Sequence, residues 1–225
     1  MIHVESGDVN GDHAAGCDDV QMSSGKLWRG QTLEDRSTDR REQMLAVAET
    51  LLGNGGTGAV TMRAVVREAN LSPRYFYESF ESTEQLVTAV YDRVTEQLLA
   101  QIAGIERPAD LRGSVRALLE VFREFFQDNP GRARILLREP LADDVLRAHR
   151  AATVPGFVET VLGMVADENS LAPERVAVIS SALTGALVAL YLDHIDGRLA
   201  LTPAQLSDAA VDLVFAVTRI GATDA

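Results

Sequence analysis

Arg67, Arg74, Tyr75, Phe76 and Tyr77 fall within eleven consecutive positions of a 225-residue chain whose net charge is −12. Guanidinium groups donate in a planar fork that fits the O6/N7 edge of guanine or a phosphate. Tyrosine can donate its phenol to a phosphate while its ring packs on a sugar or a thymine methyl. The chemistry this points to is recognition of nucleic acid. The rest of the chain opposes it. Residues 1–25 carry five acids and no Lys or Arg, and residues 78–225 carry 13 bases against 22 acids. Only residues 26–77 are positive, at +2 from eight bases and six acids. Affinity for a polyanion follows local surface and not the total, so this segment is the candidate.

Bond-making chemistry finds no comparable support. "GNGGTG" (53–58) matches a dinucleotide fingerprint in letters, but it follows an amphipathic helical pattern where the motif needs a strand before it. "SSGKL" (23–27) lacks both the first Gly and the Ser/Thr of a phosphate loop. Asp193-His194 has no Ser or Cys nucleophile placed beside it, and His3, His13 and Cys17 sit in a solvated acidic tail. The expectation is a non-enzyme with no catalytic residue, no cofactor and no metal. A single cysteine fits a reducing compartment. No apolar h-region opens the chain, and no unbroken apolar run approaches the ~18 residues of a membrane span. A soluble, cytoplasmic protein without membrane contact is expected.

The elements that must carry these residues are helical. Residues 1–35 are rich in Gly, Asp and Ser without a period and read as a disordered acidic tail. From Ser37, Met44, Leu45, Ala48, Leu51 and Leu52 recur at three- and four-residue spacing and form one helical stripe, which "GNGGTG" ends. Thr61 can cap a second helix with Met62, Val65, Val66 and Ala69 inside. Ser72-Pro73 reads as N-cap and first position of a short third helix, running to Phe80. Phe76 and Phe80 would then face inward, leaving Arg74, Tyr75 and Tyr77 on other faces. Ser82-Thr83-Glu84-Gln85 is a capping box opening a long helix over about 82–104, and Thr202-Pro203-Ala204-Gln205 is another. Pro108, Pro130, Pro173 and Pro203 read as helix starts, Pro140 as a break, and Pro155 as a kink within a helix. No alternating β-branched run is present. The spacing predicts an all-α chain of about nine helices: a three-helix helix-turn-helix domain at 36–81, then a larger helical domain at 82–225.

"VTMRAVVREANLSPRYFYESFESTEQL" (60–86) resembles the DNA-binding signature of the TetR family of bacterial repressors. The likeness lies in Thr61 opening the second helix, the turn at 70–72, and Tyr77, Phe80, Ser82 and Leu86 at family spacing. It extends back through the first helix to Arg40. The resemblance implies DNA contacts from Arg40, Thr61, Arg63, Ser72, Arg74, Tyr75 and Tyr77. Two positions depart from the pattern. Asn70 replaces a common Gly, and Thr83 replaces a frequent phosphate-binding Lys, leaving a hydroxyl and a helix N-terminus to hold the phosphate beside Glu81.

Residues 108–167 supply Phe122, Phe125, Phe126, Leu136, Leu137 and Phe157, with Arg134, Arg138 and His149, a lining suited to a small, largely apolar effector. Helix 173–196 pairs an apolar stripe with a second face of small residues at Ala182, Gly185, Ala186 and Ala189. Helix 203–219 carries Leu206, Ala210, Leu213 and Val217. Two such faces need two partners, one of them a second copy. The expected function is a ligand-responsive repressor that binds a palindromic double-stranded operator as a homodimer and is released when the effector tilts helix 82–104. A helical enzyme, and a helical interaction protein carrying a helix-turn-helix without effector control, are the alternatives.

Overall fold

The computed structural model describes residues 33–106, 108, 110–165 and 173–220, with side chains described at 36–156 and 177–217 within that range. Of the tail expected at 1–35, residues 1–32 lie outside the described residues, and Leu33–Asp35 instead open α1. Ten α-helical segments occur in order: α1 Leu33–Gly55, α2 Met62–Glu68, α3 Pro73–Ser79, α4 Thr83–Ala103, α5 Leu111–Asp128, α6 Pro130–Ala133, α7 Glu139–Ala142, α8 Asp144–Val165, α9 Pro173–Ile195 and α10 Pro203–Ile220. A π-turn, Arg134–Arg138, joins α6 to α7, so 130–142 is one helical run and the count is nine among the described residues. Those residues contain no strand. The chain divides after Arg36, and Ser37–Ala225 forms one compact unit.

Local chemistry sets most boundaries. Thr61 Oγ1 accepts the Ala64 N–H at 3.1 Å and Ser82 Oγ accepts that of Gln85 at 3.2 Å, each satisfying an orphan donor of a first turn. Gln85 Oε1 reaches back to the Glu81 N–H at 2.7 Å. Thr202 and Gln205 form the reciprocal box. "GNGGTG" ends α1 as expected, the helix running to Gly55 and stopping where Gly56 takes φ +74°. Two expectations are corrected. Pro108 precedes α5, whose cap is Asp110, accepting the Gly113 N–H at 2.8 Å. Pro140 does not break the chain. It lies at the start of α7, and the wide π-turn before it accommodates a residue with no N–H to offer the preceding turn.

One core cluster runs from Met44, Leu45, Ala48 and Leu52 on α1 through Val65, Val66, Phe76 and Phe80 to Leu86, Val90, Val94 and Leu98 on α4, and on to Phe125, Phe126, Ile135 and Tyr191. It crosses the expected boundary at 81/82 without interruption. A second cluster, Val115, Leu119, Ala210 and Val211, seats α10 on α5. Ion pairs Arg112–Asp212 and Arg116–Asp208 flank that seam. Leu206 and Ala210 are therefore interior to the protomer, at 2% and 0% exposure, and do not face a second copy. The apolar stripe of α10 is occupied by α5, and Leu213 and Val217 are half-buried.

α9 differs. Its stretch Ala177–Ile195 has mean hydropathy 1.5 and is, by length and composition, apolar enough to cross a membrane. Its unbroken apolar runs stay short of the ~18 residues of a span, as expected; the Ser, Thr and Gly that interrupt them carry no charge and leave the average high. Only 17% of that stretch is buried in the protomer.

The first three helices meet the remainder at a tight joint. Cβ atoms built on Gly53 and Gly131 would each approach the other's backbone to 3.0–3.1 Å, so α1 and α6 touch main chain to main chain. Glu139, buried at 7% exposure, accepts the Thr57 N–H at 2.9 Å and the Arg134 Nε–H at 2.9 Å. Arg134 also donates to the Asn54 carbonyl at 3.1 Å. On α4, Arg93 pairs with Glu42 and lies 3.3 Å from Glu49, both on α1. A Cβ on Gly56 would sit 2.7 Å from Glu139 Oε1, in backbone space closed to other residues. Gly56→Ala should therefore cost about 1–3 kcal/mol in urea unfolding. Gly58→Ala, whose Cβ meets nothing within 4 Å, should stay within about 0.5 kcal/mol of the wild type.

Candidate nucleic-acid interface

α2 and α3 are each too short to persist alone and are held by packing. Val65, Val66, Phe76 and Phe80 are buried together with Leu45, as the spacing requires. The turn between the helices depends on Asn70 at φ 51°, a conformation Asn tolerates better than most residues with a side chain. Leu71 N–H closes it on the Val66 carbonyl at 2.9 Å. From α1, Gln43 Nε2 donates to the Ala69 carbonyl at 2.7 Å, satisfying the end of α2. This bond fixes α1 against the turn.

What remains outside is the candidate reading surface. Arg74 is exposed over 84% of its side chain and Tyr77 is 64% exposed, while Phe76 and Phe80 on the same helix are buried. Ser72 is the N-cap of α3, but its hydroxyl makes no cap bond. Thr61 and Arg63 are exposed at the start of α2. Tyr75 is half-buried, with the Arg40 guanidinium 4.3 Å above its ring, so these two expected contacts form one stacked unit. Thr83 is half-buried as the first residue of α4. Seven of the eight expected residues thus lie on α2, α3, their caps or the adjoining face of α1, and Thr83 opens α4.

Three residues near this surface escaped the reading of the sequence. Gln43 acts across 26 positions, and Arg41 covers the Phe80 ring at 4.9 Å; neither pairing shows in periodicity. Glu78 was legible, since it stands four residues after Arg74, and it accepts the Arg74 Nε–H at 2.7 Å. That hydrogen bond, and then the charge of Glu78, raises the Arg74 pKa, so the guanidinium stays ionised throughout the ordinary pH range.

Among the described residues, the expected effector lining is spread over α5, the π-turn and α8. Phe125 and Phe126 are core residues. Arg132 covers the first ring at 4.3 Å, and Tyr191 meets the second edge-on at 6.0 Å. Phe122 is partly buried between the two clusters. His149 on α8 hydrogen-bonds Asp92 on α4 at 2.6 Å and meets Tyr91 edge-on. Arg134 and Arg138 do converge, on a groove of about 540 Å³ with Gly53, Asn54, Leu192 and Ile195, where Arg138 pairs with Asp196. The side chain of Phe157 lies outside the described residues. Longer-range packing decides these outcomes, and aromatic content alone does not reveal it.

Residues 44–90 match the family model described as "Bacterial regulatory proteins, tetR family". The nucleoid occlusion factor SlmA of Glaesserella parasuis serovar 5 (strain SH0165) is 28% identical over 153 residues, covering 67% of this chain and 76% of its own. A tetR-family transcriptional regulator from Streptomyces coelicolor superposes with a TM-score of 0.65 at 18% identity over 82% of each chain. The multidrug binding protein EbrR, solved with imidazole, gives 0.62 at 18% identity over 85% of this chain and 97% of its own. At those identities the structural likeness is one of fold, while the sequence match falls on the helix-turn-helix itself. With an all-α fold shared with these regulators and an N-terminal module matched over residues 44–90, this chain is similar to the tetR family of bacterial regulatory proteins.

Proposed function

We propose that the protein is an effector-controlled regulator that binds a palindromic operator as a homodimer. The observation that carries the DNA half is the solvent face of α3, where Arg74 and Tyr77 project over a helix whose other side is locked into the core. Arg63, Thr61 and Ser72 flank that face, suited to phosphates and base edges. The Arg40–Tyr75 stack adds a cation at its rim.

The dimer half rests on α9. Ala182, Gly185 and Ala189 are exposed along one face, Ala186 is half-buried beside them, and a Cβ on Gly185 would meet nothing within 4 Å. Small residues allow close approach of a second helix, and an apolar surface this open calls for a partner. We assign that partner to a second copy and not to lipid. Two-fold pairing would set two α3 helices against successive major grooves.

Effector control is supported by the likeness of residues 44–90 to the tetR family and by EbrR, similar in fold, whose name records multidrug binding. The effector we propose is small and largely apolar, with one or two polar groups. α4 joins the head to the helices that would hold it, and a tilt of α4 would spoil the half-site spacing. A regulator of this kind works where the genome is, in the cytoplasm, and needs no catalytic group of its own.

Two measurements test this reading. In fluorescence anisotropy, Tyr77→Phe should weaken binding to all duplexes alike by about 0.5–1.5 kcal/mol, the value of one hydrogen bond. Arg74→Ala should cost about 1–3 kcal/mol, mainly on the preferred duplex. Equal losses for Arg74→Ala on preferred and random DNA would assign Arg74 to a phosphate. In light scattering, the wild type should have the mass of a dimer and Ala182→Glu that of a monomer with poor operator binding. A monomeric wild type would refute the assembly.

A further inference from the structure

The placement of Glu78 is costly by every local rule. It lies at the C-terminal end of α3, where the helix dipole disfavours an acid. It follows Arg74 by four residues, the weaker order for a helical ion pair, and the pair is exposed, so it adds little to stability. It also sets a negative charge on the face that would meet a polyanion. An acid that contributes so little in the free protein is explained by the geometry of its bond.

Glu78 Oε1 accepts specifically from Arg74 Nε, at 2.7 Å. That leaves both terminal nitrogens of the guanidinium, the two that together match guanine O6 and N7, unengaged by Glu78. Held by Nε, the planar fork loses rotational freedom. Unheld, Arg74 is a long side chain, 84% exposed, able to reach a phosphate as easily as a base. When DNA displaces water from this face, the Arg74–Glu78 attraction strengthens, because the local dielectric falls. The carboxylate also repels phosphates that would otherwise draw the arginine aside.

We infer that Glu78 is a specificity-determining positioning residue, which aims Arg74 at a guanine in each operator half-site and disfavours its use on the backbone. The inference rests on the proposed DNA-reading role of α3 and deepens it. It names the base pair under Arg74 as G·C and gives the nearby acid a purpose.

The test uses the full chain and fluorescence anisotropy on three probes: the duplex that the wild type prefers, that duplex with each base pair replaced in turn, and a random duplex. Arg74→Ala should erase a preference for G·C at one pair per half-site, worth about 5- to 150-fold in affinity. Glu78→Gln should reduce the same preference by roughly tenfold while binding to random DNA stays equal or tightens, since a negative charge is gone. In the Arg74→Ala background, Glu78→Gln should remove no further preference, the signature of one residue acting through another. Full G·C preference in Glu78→Gln, additive losses in the double variant, or equal weakening on all duplexes would each overturn the positioning role. A wild type that prefers no duplex, or an Arg74→Ala variant that keeps every preference, would defeat the reading of the head itself and the role of Glu78 with it.

Discussion

Glu139 is a carboxylate inside the protein, and such a group is tolerated only when donors replace the water it has lost. Thr57 supplies a backbone N–H and Arg134 a guanidinium, so the charge is paired and hydrogen-bonded at once. The consequence is mechanical. Thr57 lies in the link between α1 and α2, and Arg134 begins the π-turn of the 130–142 run, so one side chain ties the helix-turn-helix to the rest of the molecule. The glycines around it serve the same joint. Gly56 leaves room for the carboxylate, and Gly53 and Gly131 let two backbones meet. With the Arg93 contacts on α4, the head is held at two places that belong to different helices. A change in the relation between α4 and the 130–142 run must therefore strain the head or move it, which is the physical requirement for a switch.

The charge balance has a similar logic. Binding DNA with a net charge of −12 requires that the acids be kept away from the contact face or be given partners there. On the described head, Glu42 and Glu49 are engaged by Arg93, Glu68 by Arg67, and Glu78 by Arg74. Arg63 and the Arg40–Tyr75 stack then supply the positive edge. A head of modest charge gains less from non-specific attraction, so a larger share of its affinity must come from contacts that depend on sequence.

Features carried by neighbouring residues were legible in the sequence. The hydroxyls of Thr61, Ser82 and Thr202 cap helices three residues on, and Pro73, Pro130, Pro173 and Pro203 stand at helix starts because their fixed φ suits no later position so well. Phe76 and Phe80, four apart, face inward for the reason that leaves Arg74 and Tyr77 outside. What could not be read were choices between equivalent apolar surfaces and pairings across long stretches. Leu206 and Ala210 form a stripe that could have met either a second copy or the chain's own core, and packing buries Leu206 in the main cluster and Ala210 against α5. Glu139 finds Thr57 across 82 positions, a separation that no window of local periodicity spans. Phe125 and Phe126 have the composition of a pocket wall and the burial of a core.

The likeness of residues 44–90 to the tetR family, the exposed face of α3 and the open face of α9 all support the proposal that two symmetry-related α3 helices read DNA. The most direct measurement is selection of the full chain on a library of random duplexes, with sequencing of the bound fraction. The account predicts enrichment of a two-fold symmetric motif whose half-sites are centred about one helical turn, roughly 10 base pairs, or a multiple of it apart. Enrichment of a single asymmetric site, or of no sequence at all, would contradict it.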